Sequence, residues 1–343
     1  MRFNIWKDCP KVPITELLSF IVDNRGKTVP TADDGWKLIA TNCVTNNTLF
    51  PVYEKVRYLT QETYETWFRA HPMPGDILFV NKGTPGRVCL VPDPVDFCIA
   101  QDMIALRADD EKIYNKYLFA VLRSREIQQQ IYNTNVGDVI PHFKKQFMDQ
   151  LLIPVPDRRI QEIIGNLYYE LSYKTELNKK INNNLEQQAQ AIYQQMFIDN
   201  PAPDWIEGSL SDIANITMGQ SPSGSSYNED GIGAIFFQGR AEFGFRFPTI
   251  RLYTTEPKRM GIRAPVGDLN VAHNDCCIGR GLAAIHSKTN HQSFVLYTMF
   301  SLKKQLDVFN GEGTVFGSIN RSSLNDMPIL IPDDEQIEKF ELI

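Results

Sequence analysis

The sequence of 343 residues lacks the features that would place it in a membrane or outside the cell. It contains no apolar run approaching the roughly 20 residues that a membrane-spanning helix needs. The first residues, MRFNIWKDCPKVP, have no apolar segment of the kind that a secretory signal requires. Six cysteines are scattered and form no CxxC pair, so we expect reduced thiols. These absences predict a soluble, cytoplasmic protein that has no contact with a membrane.

Signatures of the common catalytic classes are missing as well. There is no GxxxxGK[ST] loop for nucleotide phosphates and no Gly-x-Ser-x-Gly elbow for a serine nucleophile. The string FNGEG at 309–313 fits a weak pattern for an S-adenosylmethionine pocket, but no NPPY or DPPY motif accompanies it. Cys276 and Cys277 stand near three histidines, yet adjacent cysteines bind one tetrahedral metal ion poorly. The sequence therefore predicts no catalytic residue, no cofactor and no metal site.

The composition is that of a globular chain, with 43% hydrophobic and 22% charged residues, and its length suits two domains. Its net charge of −6 argues mildly against nucleic-acid binding, but the charge is uneven. Residues 240–263 hold six basic and two acidic side chains. Such a stretch can bind phosphate on an acidic protein, because charge fields decay within about 10 Å at 0.1 M salt. An ordinary solvated face explains it equally well.

The most informative feature is a duplication. GDVIPHFKKQFMDQLLIPVP at 137–156 matches GTVFGSINRSSLNDMPILIP at 313–332 with a constant offset of 176 residues (313 − 137). GDILFVNKG at 75–83 matches HNDCCIGRG at 273–281, and ITELLSFI at 14–21 matches LSDIANIT at 210–217 more weakly. Few residues are identical between the halves. We therefore expect one fold present twice, with two different surfaces that read two different things.

A long helix is predicted between the two copies. Residues 157–198 contain no proline, and Gly165 is the one glycine there. Alternating steps of four and three residues from Ile160 reach ten positions, of which seven are isoleucine or leucine. This period predicts a left-handed coiled coil. A pairing seam explains it better than a helix packed on its own domain, and its apolar members are Ile160, Ile164, Leu167, Leu171, Ile181, Leu185 and Ile192.

The predicted fold class is α+β, with two similar mixed α/β domains joined by that coiled-coil-type helix. The predicted limits are 1–155 for the first domain, 156–199 for the helix, 200–332 for the second domain and 333–343 for the start of a second helix. The segment DDEQIEKFELI begins like the long helix and then the sequence stops. We expect the second copy of the helix to be incomplete.

The chain resembles the specificity subunit of type I restriction–modification systems. The resemblance rests on LLIPVPDRRIQEII, on ELNKKINNNLEQQAQAIYQQMFID, on GSLSDIANITMGQSP at the start of the second half, and on GDILFVNKGTPG in the first. It implies two target-recognition domains that each read half of a split double-stranded DNA sequence. It also implies methyltransferase and motor–nuclease subunits as partners that carry out adenine methylation and cleavage, so the chain itself is not expected to be an enzyme. A rigid helix suits this task, since the two halves of a DNA site are read at a fixed distance and phase.

The sequence departs from that family in lacking the second conserved helix. We therefore expect self-association, or pairing with another truncated specificity chain, to complete the spacer. Three alternatives stay open: a coiled-coil scaffold that binds proteins, a truncated and inactive specificity subunit, and a self-contained methyltransferase, which the missing adenine motif disfavours. The candidate DNA contacts come from the matched loops and the basic stretch, with Asn81 and Gln238 proposed for base edges; they are Asn81, Lys82, Arg87, Lys144, Lys145, Gln238, Arg240, Arg246, Arg251, Lys258, Arg259 and Arg280.

Overall fold

The computed structural model describes residues 4–24, 26, 28–99, 101–134, 141–257, 269–308 and 320–343. The chain divides into two compact units, unit 1 (Met1–Asn182) and unit 2 (Asn183–Ile343). This division falls inside the long helix rather than at either of its ends. The predicted limits at 155/156, 199/200 and 332/333 therefore stay predictions.

Unit 1 combines short strands with helices. The strands are β1 (Lys11–Pro13), β2 (Leu18–Val22), β3 (Trp36–Ile39), β4 (Arg57–Leu59), β5 (Ile77–Val80), β6 (Val88–Leu90), β7 (Phe97–Ile99), β8 (Met103–Ala108) and β9 (Leu152–Pro154). The helices before the long one are α1 (Ile5–Asp8), α2 (Gln61–Thr66), α3 (Asn115–Leu122) and α4 (Arg125–Thr134). One sheet has the antiparallel order β2-β8-β5-β6, a second has the order β4-β3-β7 with β3 and β7 parallel, and β1 pairs with β9. The main core lies between the first sheet and α3, where Phe79, Tyr117 and Phe119 are fully buried.

The predicted long helix is present as α5 (Arg158–Tyr193), and a π-helical turn, Gln194–Asp199, continues it. Asp157 begins the helix by accepting a hydrogen bond from the Ile160 amide at 3.0 Å, which satisfies one of the amides that the first turn leaves free. No helix in the described ranges is long and apolar enough to cross a membrane.

Unit 2 repeats the mixture of short strands and helices. Its strands are β10 (Ile206–Ser209), β11 (Ala214–Met218), β12 (Tyr227–Asn228), β13 (Ala234–Phe237), β14 (Leu252–Thr254), β15 (Cys276–Ile278), β16 (Ala283–Ser287) and β17 (Pro328–Ile331). Its helices after α5 are α6 (Leu210–Ile213), α7 (Gln292–Ser301), α8 (Lys303–Val308), α9 (Arg321–Asn325) and α10 (Asp334–Glu341). The last residue of α5 and the π-helical turn belong to the core of unit 2, because the rings of Tyr193 and Phe197 pack against Phe294 and Phe340.

Strand pairing confirms the predicted duplication. The antiparallel pairs β1·β9 and β2·β8 of unit 1 correspond to β10·β17 and β11·β16 of unit 2. In each unit a central strand, β3 or β13, has one antiparallel neighbour (β4 or β14) and one parallel neighbour (β7 or β15). The glycine before that strand also recurs. A Cβ on Gly35 would lie 2.4 Å from the Leu59 carbonyl oxygen and one on Gly233 would lie 2.2 Å from that of Thr254, so both positions require glycine.

One of the matches made from the sequence is wrong. GDILFVNKG contains β5, whose two neighbours are both antiparallel, whereas HNDCCIGRG contains β15, which is parallel to β13. The counterpart of β15 in unit 1 is β7, and the strings FCIAQDM at 97–103 and CCIGRGL at 276–282 align at an offset of 179 (276 − 97). Lys82 and Arg280 therefore do not lie in equivalent loops.

Candidate nucleic-acid interface

Two loops of unit 1 form one surface, and both were predicted to contact DNA. The first is the β5–β6 loop, residues 81–87, and the second is residues 141–145. The Gly83 amide donates to the Pro141 carbonyl at 3.0 Å, and the Phe143 amide donates to the Asn81 carbonyl at 2.8 Å. Lys82 and His142 face each other in an isolated antiparallel bridge. We call these two loops the unit 1 basic loops.

The unit 1 basic loops carry exposed cationic side chains. Lys82, Arg87 and Lys144 are exposed and form no ion pair with the described part of the chain. Lys145 is also exposed, but its ammonium lies 3.4 Å from a carboxylate oxygen of Asp23. Exposed, unpaired ammonium and guanidinium groups are the side chains that bind DNA phosphates.

Asn81 does not share this exposure. Its side chain is fully buried, its amide donates to the Phe143 carbonyl at 3.3 Å, and its Oδ1 has no hydrogen-bond partner among the described atoms. A buried amide joins the two basic loops and cannot reach a base edge in this conformation. The burial argues against the prediction that Asn81 reads DNA.

In unit 2 the candidates Gln238 and Arg280 lie together. Gln238 follows β13 and Arg280 comes two residues after β15, so both sit at the carboxyl ends of the parallel strand pair. The Gly279 amide donates to the Phe237 carbonyl at 2.9 Å, and a Cβ on Gly279 would lie 2.4 Å from the Gln238 carbonyl oxygen. Both side chains are exposed. The crevice outside the carboxyl ends of parallel strands is where ligands of open α/β sheets commonly bind.

The corrected alignment adds a residue that was missed. Arg280 corresponds in unit 1 to Gln101, which is exposed in the β7–β8 turn, next to Asp102. The Asp102 carbonyl accepts a hydrogen bond from the backbone amide of Asn81 at 2.8 Å, so this turn adjoins the unit 1 basic loops. The shared Cys-Ile pairs, Cys98-Ile99 and Cys277-Ile278, are the signal that would have identified it.

Of the five remaining basic candidates of unit 2, one is exposed, three have side chains that the structure does not describe, and one forms an ion pair. Arg251 is exposed immediately before β14. The backbone of Arg240 begins a 3-10 turn, but its side chain is not described, and Lys258 and Arg259 lie outside the described residues.

Arg246 is half-buried, and its guanidinium forms an ion pair with Glu186 of α5. Burial raises the pKa of the neighbouring Tyr297, and the charges of Arg246 and Glu186 act on it in opposite directions.

The predicted seam residues of α5 have two different environments. Ile160, Ile164 and Ile192 are half-buried, and the last two pack against the cores of units 1 and 2 respectively. The others are exposed, with accessible fractions of 61% for Leu167, 58% for Leu171, 46% for Ile181 and 56% for Leu185. Ile163 and Leu177 are exposed as well, at 59% and 46%. We call Ile163, Leu167, Leu171, Leu177, Ile181 and Leu185 the apolar stripe.

Unit 1 packs against a different face of α5. Gln161 accepts from the Tyr114 amide at 2.8 Å, Gly165 lies against the α3 backbone, and Glu176 accepts from the Leu49 amide at 3.3 Å. A helix turns about 100° per residue, so these three positions lie opposite Leu167 and Ile181. The apolar stripe is therefore not the surface by which the helix packs on unit 1.

The cysteines and a histidine of unit 2 that suggested a metal site in the sequence lie in packing contacts in the structure. Cys276 and Cys277 are fully buried in β15, and the His273 ring lies 3.8 Å from the Phe247 ring. Within the described ranges, no group of three or more His, Cys, Asp or Glu side chains is arranged to hold a metal ion. The FNGEG string at 309–313 lies outside those ranges. Asp333, the first residue of the DDEQIEKFELI segment, caps α10 by accepting a hydrogen bond from the Gln336 amide at 2.8 Å.

A repeated α+β unit whose exposed loops carry basic side chains is suited to contacting the phosphates of DNA at two places. The family model described as type I restriction modification DNA specificity domain matches residues 12–187, just over half of the chain. The chain therefore belongs to the family of type I restriction–modification DNA specificity proteins.

Individual relatives agree with this assignment. The chain is 29% identical over 294 residues to the protein assigned as the type I restriction enzyme MjaX specificity subunit of Methanocaldococcus jannaschii, covering 76% of this chain and 69% of that one. It is 27% identical over 130 residues to the type I restriction enzyme HindI specificity subunit of Haemophilus influenzae, covering 36% and 28%. The crystal structure of the type I restriction–modification S subunit from M. genitalium matches with a TM-score of 0.62 at 15% identity, covering 99% and 89%, and supports the fold alone.

Proposed function

We propose that the two units each read one half of a bipartite double-stranded DNA target and so direct partner subunits to it. The observation that carries the proposal is the pairing of one strand topology with two different sets of side chains at matching strand ends. At the position where unit 2 has Arg280, unit 1 has Gln101. The β5–β6 loop of unit 1, with Lys82 and Arg87, has no equivalent loop between paired strands in the described part of unit 2. A common framework with unlike contacts suits two half-sites of unlike sequence.

The partners follow from the same reasoning. The relatives named above are described as specificity subunits of type I restriction enzymes, so other subunits are expected to supply the chemistry. We therefore propose a non-catalytic role alongside methyltransferase and motor–nuclease subunits, which places the chain in the cytoplasm with the DNA.

The apolar stripe supports a second element of the proposal, that α5 pairs with another amphipathic helix. Four of these exposed side chains, those of Leu167, Leu171, Ile181 and Leu185, follow the 3.5-residue period of a coiled coil, and those of Ile163 and Leu177 flank them. The six form a contiguous apolar surface, and such surfaces mark interaction sites. We propose a second copy of this chain as the partner helix, with Lys174 and Asn178 on the same face fixing the register.

Salt-dependent DNA binding tests the recognition role. Removing one phosphate contact from a protein–DNA complex makes the slope of log K against log salt smaller by about 0.9. The double variant Lys82→Ala/Lys144→Ala is expected to bind DNA of every sequence more weakly, with a slope smaller by about 1.8. Lys180→Ala removes an exposed cation from α5 and is the matched control. Binding that ignores salt, or an equal effect of the control, would contradict the assignment of these loops.

A further inference from the structure

The ion pair between Arg246 and Glu186 connects the basic stretch of unit 2 to α5. Glu186 is largely buried, with 13% of its side chain accessible, and Arg246 has 38% accessible. Glu186 uses both carboxylate oxygens, because Oε2 pairs with Arg246 and Oε1 accepts from Gln190 at 3.2 Å. A carboxylate in this position needs its cation, since an unpaired buried charge is costly.

Arg246 belongs to a loop that is closed on itself, residues 239–249. The buried Glu242 accepts from the Gly239 amide through its carboxylate at 2.9 Å and from the Thr249 amide through its carbonyl at 2.7 Å. These bonds join the two ends of the loop. The ends of the loop lie near β13 and β14, so the contacts of its middle decide where the rest of the loop lies.

The middle of the 239–249 loop is held from two sides. Asn270 exchanges two hydrogen bonds with the Gly244 backbone, at 2.9 and 3.2 Å, and the Arg246 carbonyl accepts from the Val271 amide at 2.8 Å. The Arg246 side chain supplies the contact to the helix. Gln238 immediately precedes the loop and lies against Gly279, next to Arg280, so the loop begins at the candidate reading surface.

We propose that the Arg246–Glu186 ion pair fixes the 239–249 loop to α5, so that Arg246 is a positioning residue for the reading surface formed by Gln238 and Arg280. The inference deepens the proposed DNA recognition and rests on it. Within unit 2, the helix sets where this surface lies, and Arg246 is not a phosphate contact.

The two roles for Arg246 make opposite predictions for its partner. If Arg246 positions the loop, Glu186→Gln replaces the ion pair with a weaker hydrogen bond to a neutral amide and disturbs DNA reading as Arg246→Met does. If Arg246 binds phosphate, Glu186→Gln removes a competing carboxylate and strengthens DNA binding. The exchanged pair Arg246→Glu/Glu186→Arg restores an ion pair of reversed polarity and therefore restores positioning alone.

The experiment compares the full chain with these three variants and with Arg251→Met, which removes an exposed candidate DNA contact of the same stretch and shows the lower slope expected when a phosphate contact is lost. The chains select DNA from a pool of randomised duplexes, and the salt slope is measured on the duplex that the wild type enriches. We expect Arg246→Met and Glu186→Gln to lose about tenfold discrimination at one half-site, near the lower limit for one misread base pair, with an unchanged slope. We expect the exchanged pair to regain most of it. A slope lower by about 0.9 in Arg246→Met, together with tighter binding by Glu186→Gln, would overturn the proposal.

Hydrogen exchange of the free chain separates this proposal from the proposed function. Amides of residues 239–249 are expected to exchange faster in both single variants and to recover protection in the exchanged pair. Unchanged exchange in both single variants refutes the positioning role whatever the DNA data show. A wild type that enriches no sequence refutes the proposed function, whereas faster exchange in the variants would still support the anchoring of the loop to α5.

Discussion

Replacing Gly165 with alanine tests how α5 packs on unit 1, because two physical effects of opposite sign compete there. Gly165 is buried in the middle of a turn of α5, directly against α3. A Cβ at this position would lie 2.6 Å from the Tyr117 amide nitrogen and 2.9 Å from the Lys116 carbonyl carbon. Both neighbours are backbone atoms, so relief requires the two helices to separate.

The magnitudes decide the sign of the effect. Glycine is about 1 kcal/mol less favourable than alanine inside a helix, so an unpacked helix would become more stable by that amount. Forcing a methyl group into a closely packed contact typically costs about 1–3 kcal/mol. The two contacts below 3.0 Å with backbone atoms place Gly165→Ala at the upper end of that range. We expect Gly165→Ala to lower the free energy of unfolding of unit 1 by about 1–2 kcal/mol.

Urea unfolding followed by tryptophan fluorescence measures this change. A Trp205→Phe background leaves tryptophans in unit 1 alone, at positions 6, 36 and 67, so that the transition of unit 1 is observed separately from that of unit 2. Asn182→Ala is the control, because residue 182 is an exposed position of the same helix where alanine gains a few tenths of a kcal/mol. If Gly165→Ala raises the midpoint as the control does, the close contact between α5 and α3 is refuted.

Two further variants test the surface of α5 and a titrating group of unit 1. Leu167→Glu/Leu171→Glu is expected to abolish self-association in analytical ultracentrifugation. The urea midpoint should stay nearly unchanged, since both side chains are more than half exposed. Association that survives in the double variant, or equal dissociation of the control Lys180→Glu, would contradict the apolar stripe as the pairing surface. Burial lowers the pKa of His71 below its ordinary value of 6.5. The His71 ring stacks on the Tyr64 ring, with 4.1 Å between the ring centroids. Its neutral form therefore contributes stability that is fully present above about pH 6.5 and is lost as pH falls from there through the lower pKa of the folded state. His71→Phe should make the urea midpoint of unit 1 less dependent on pH between about pH 7.5 and 5.5, and an unchanged pH dependence would show that another group is responsible.

The duplication and the long helix were predictable because they leave extended patterns in the sequence. Twenty-residue blocks at a constant offset and a sustained period of 3.5 residues do not depend on distant contacts. The match between β5 and β15 failed because short, fully buried strands followed by a glycine turn look alike in sequence. The two strands differ because β15 pairs in parallel with a strand far away in the sequence, whereas β5 pairs antiparallel with its neighbours. A local sequence pattern does not show this difference.

The roles of single residues were less predictable for the same reason. Arg246 lies in a stretch with a local excess of positive charge, but its partner Glu186 is 60 residues away in the sequence. Asn81 follows a strand in a turn-like string, and its burial depends on the 141–145 loop packing over it. Four members of the apolar stripe were predicted seam positions, whereas Ile163 and Leu177 were not. The helix face that packs on unit 1 could not be identified from the sequence, because Gln161, Gly165 and Glu176 are not an apolar set.

The most direct test of the central proposal is the pattern of DNA methylation in cells that contain the chain and a methyltransferase subunit. We would co-express it with a type I methyltransferase subunit and sequence the host DNA for methylated adenines. Two half-site readers predict one split motif, with two short specified halves around a fixed gap. We also expect Arg280→Ala to relax only the half read by unit 2. Unmodified DNA despite a stable complex, or methylation at a continuous motif without a gap, would contradict the assignment of two half-site readers.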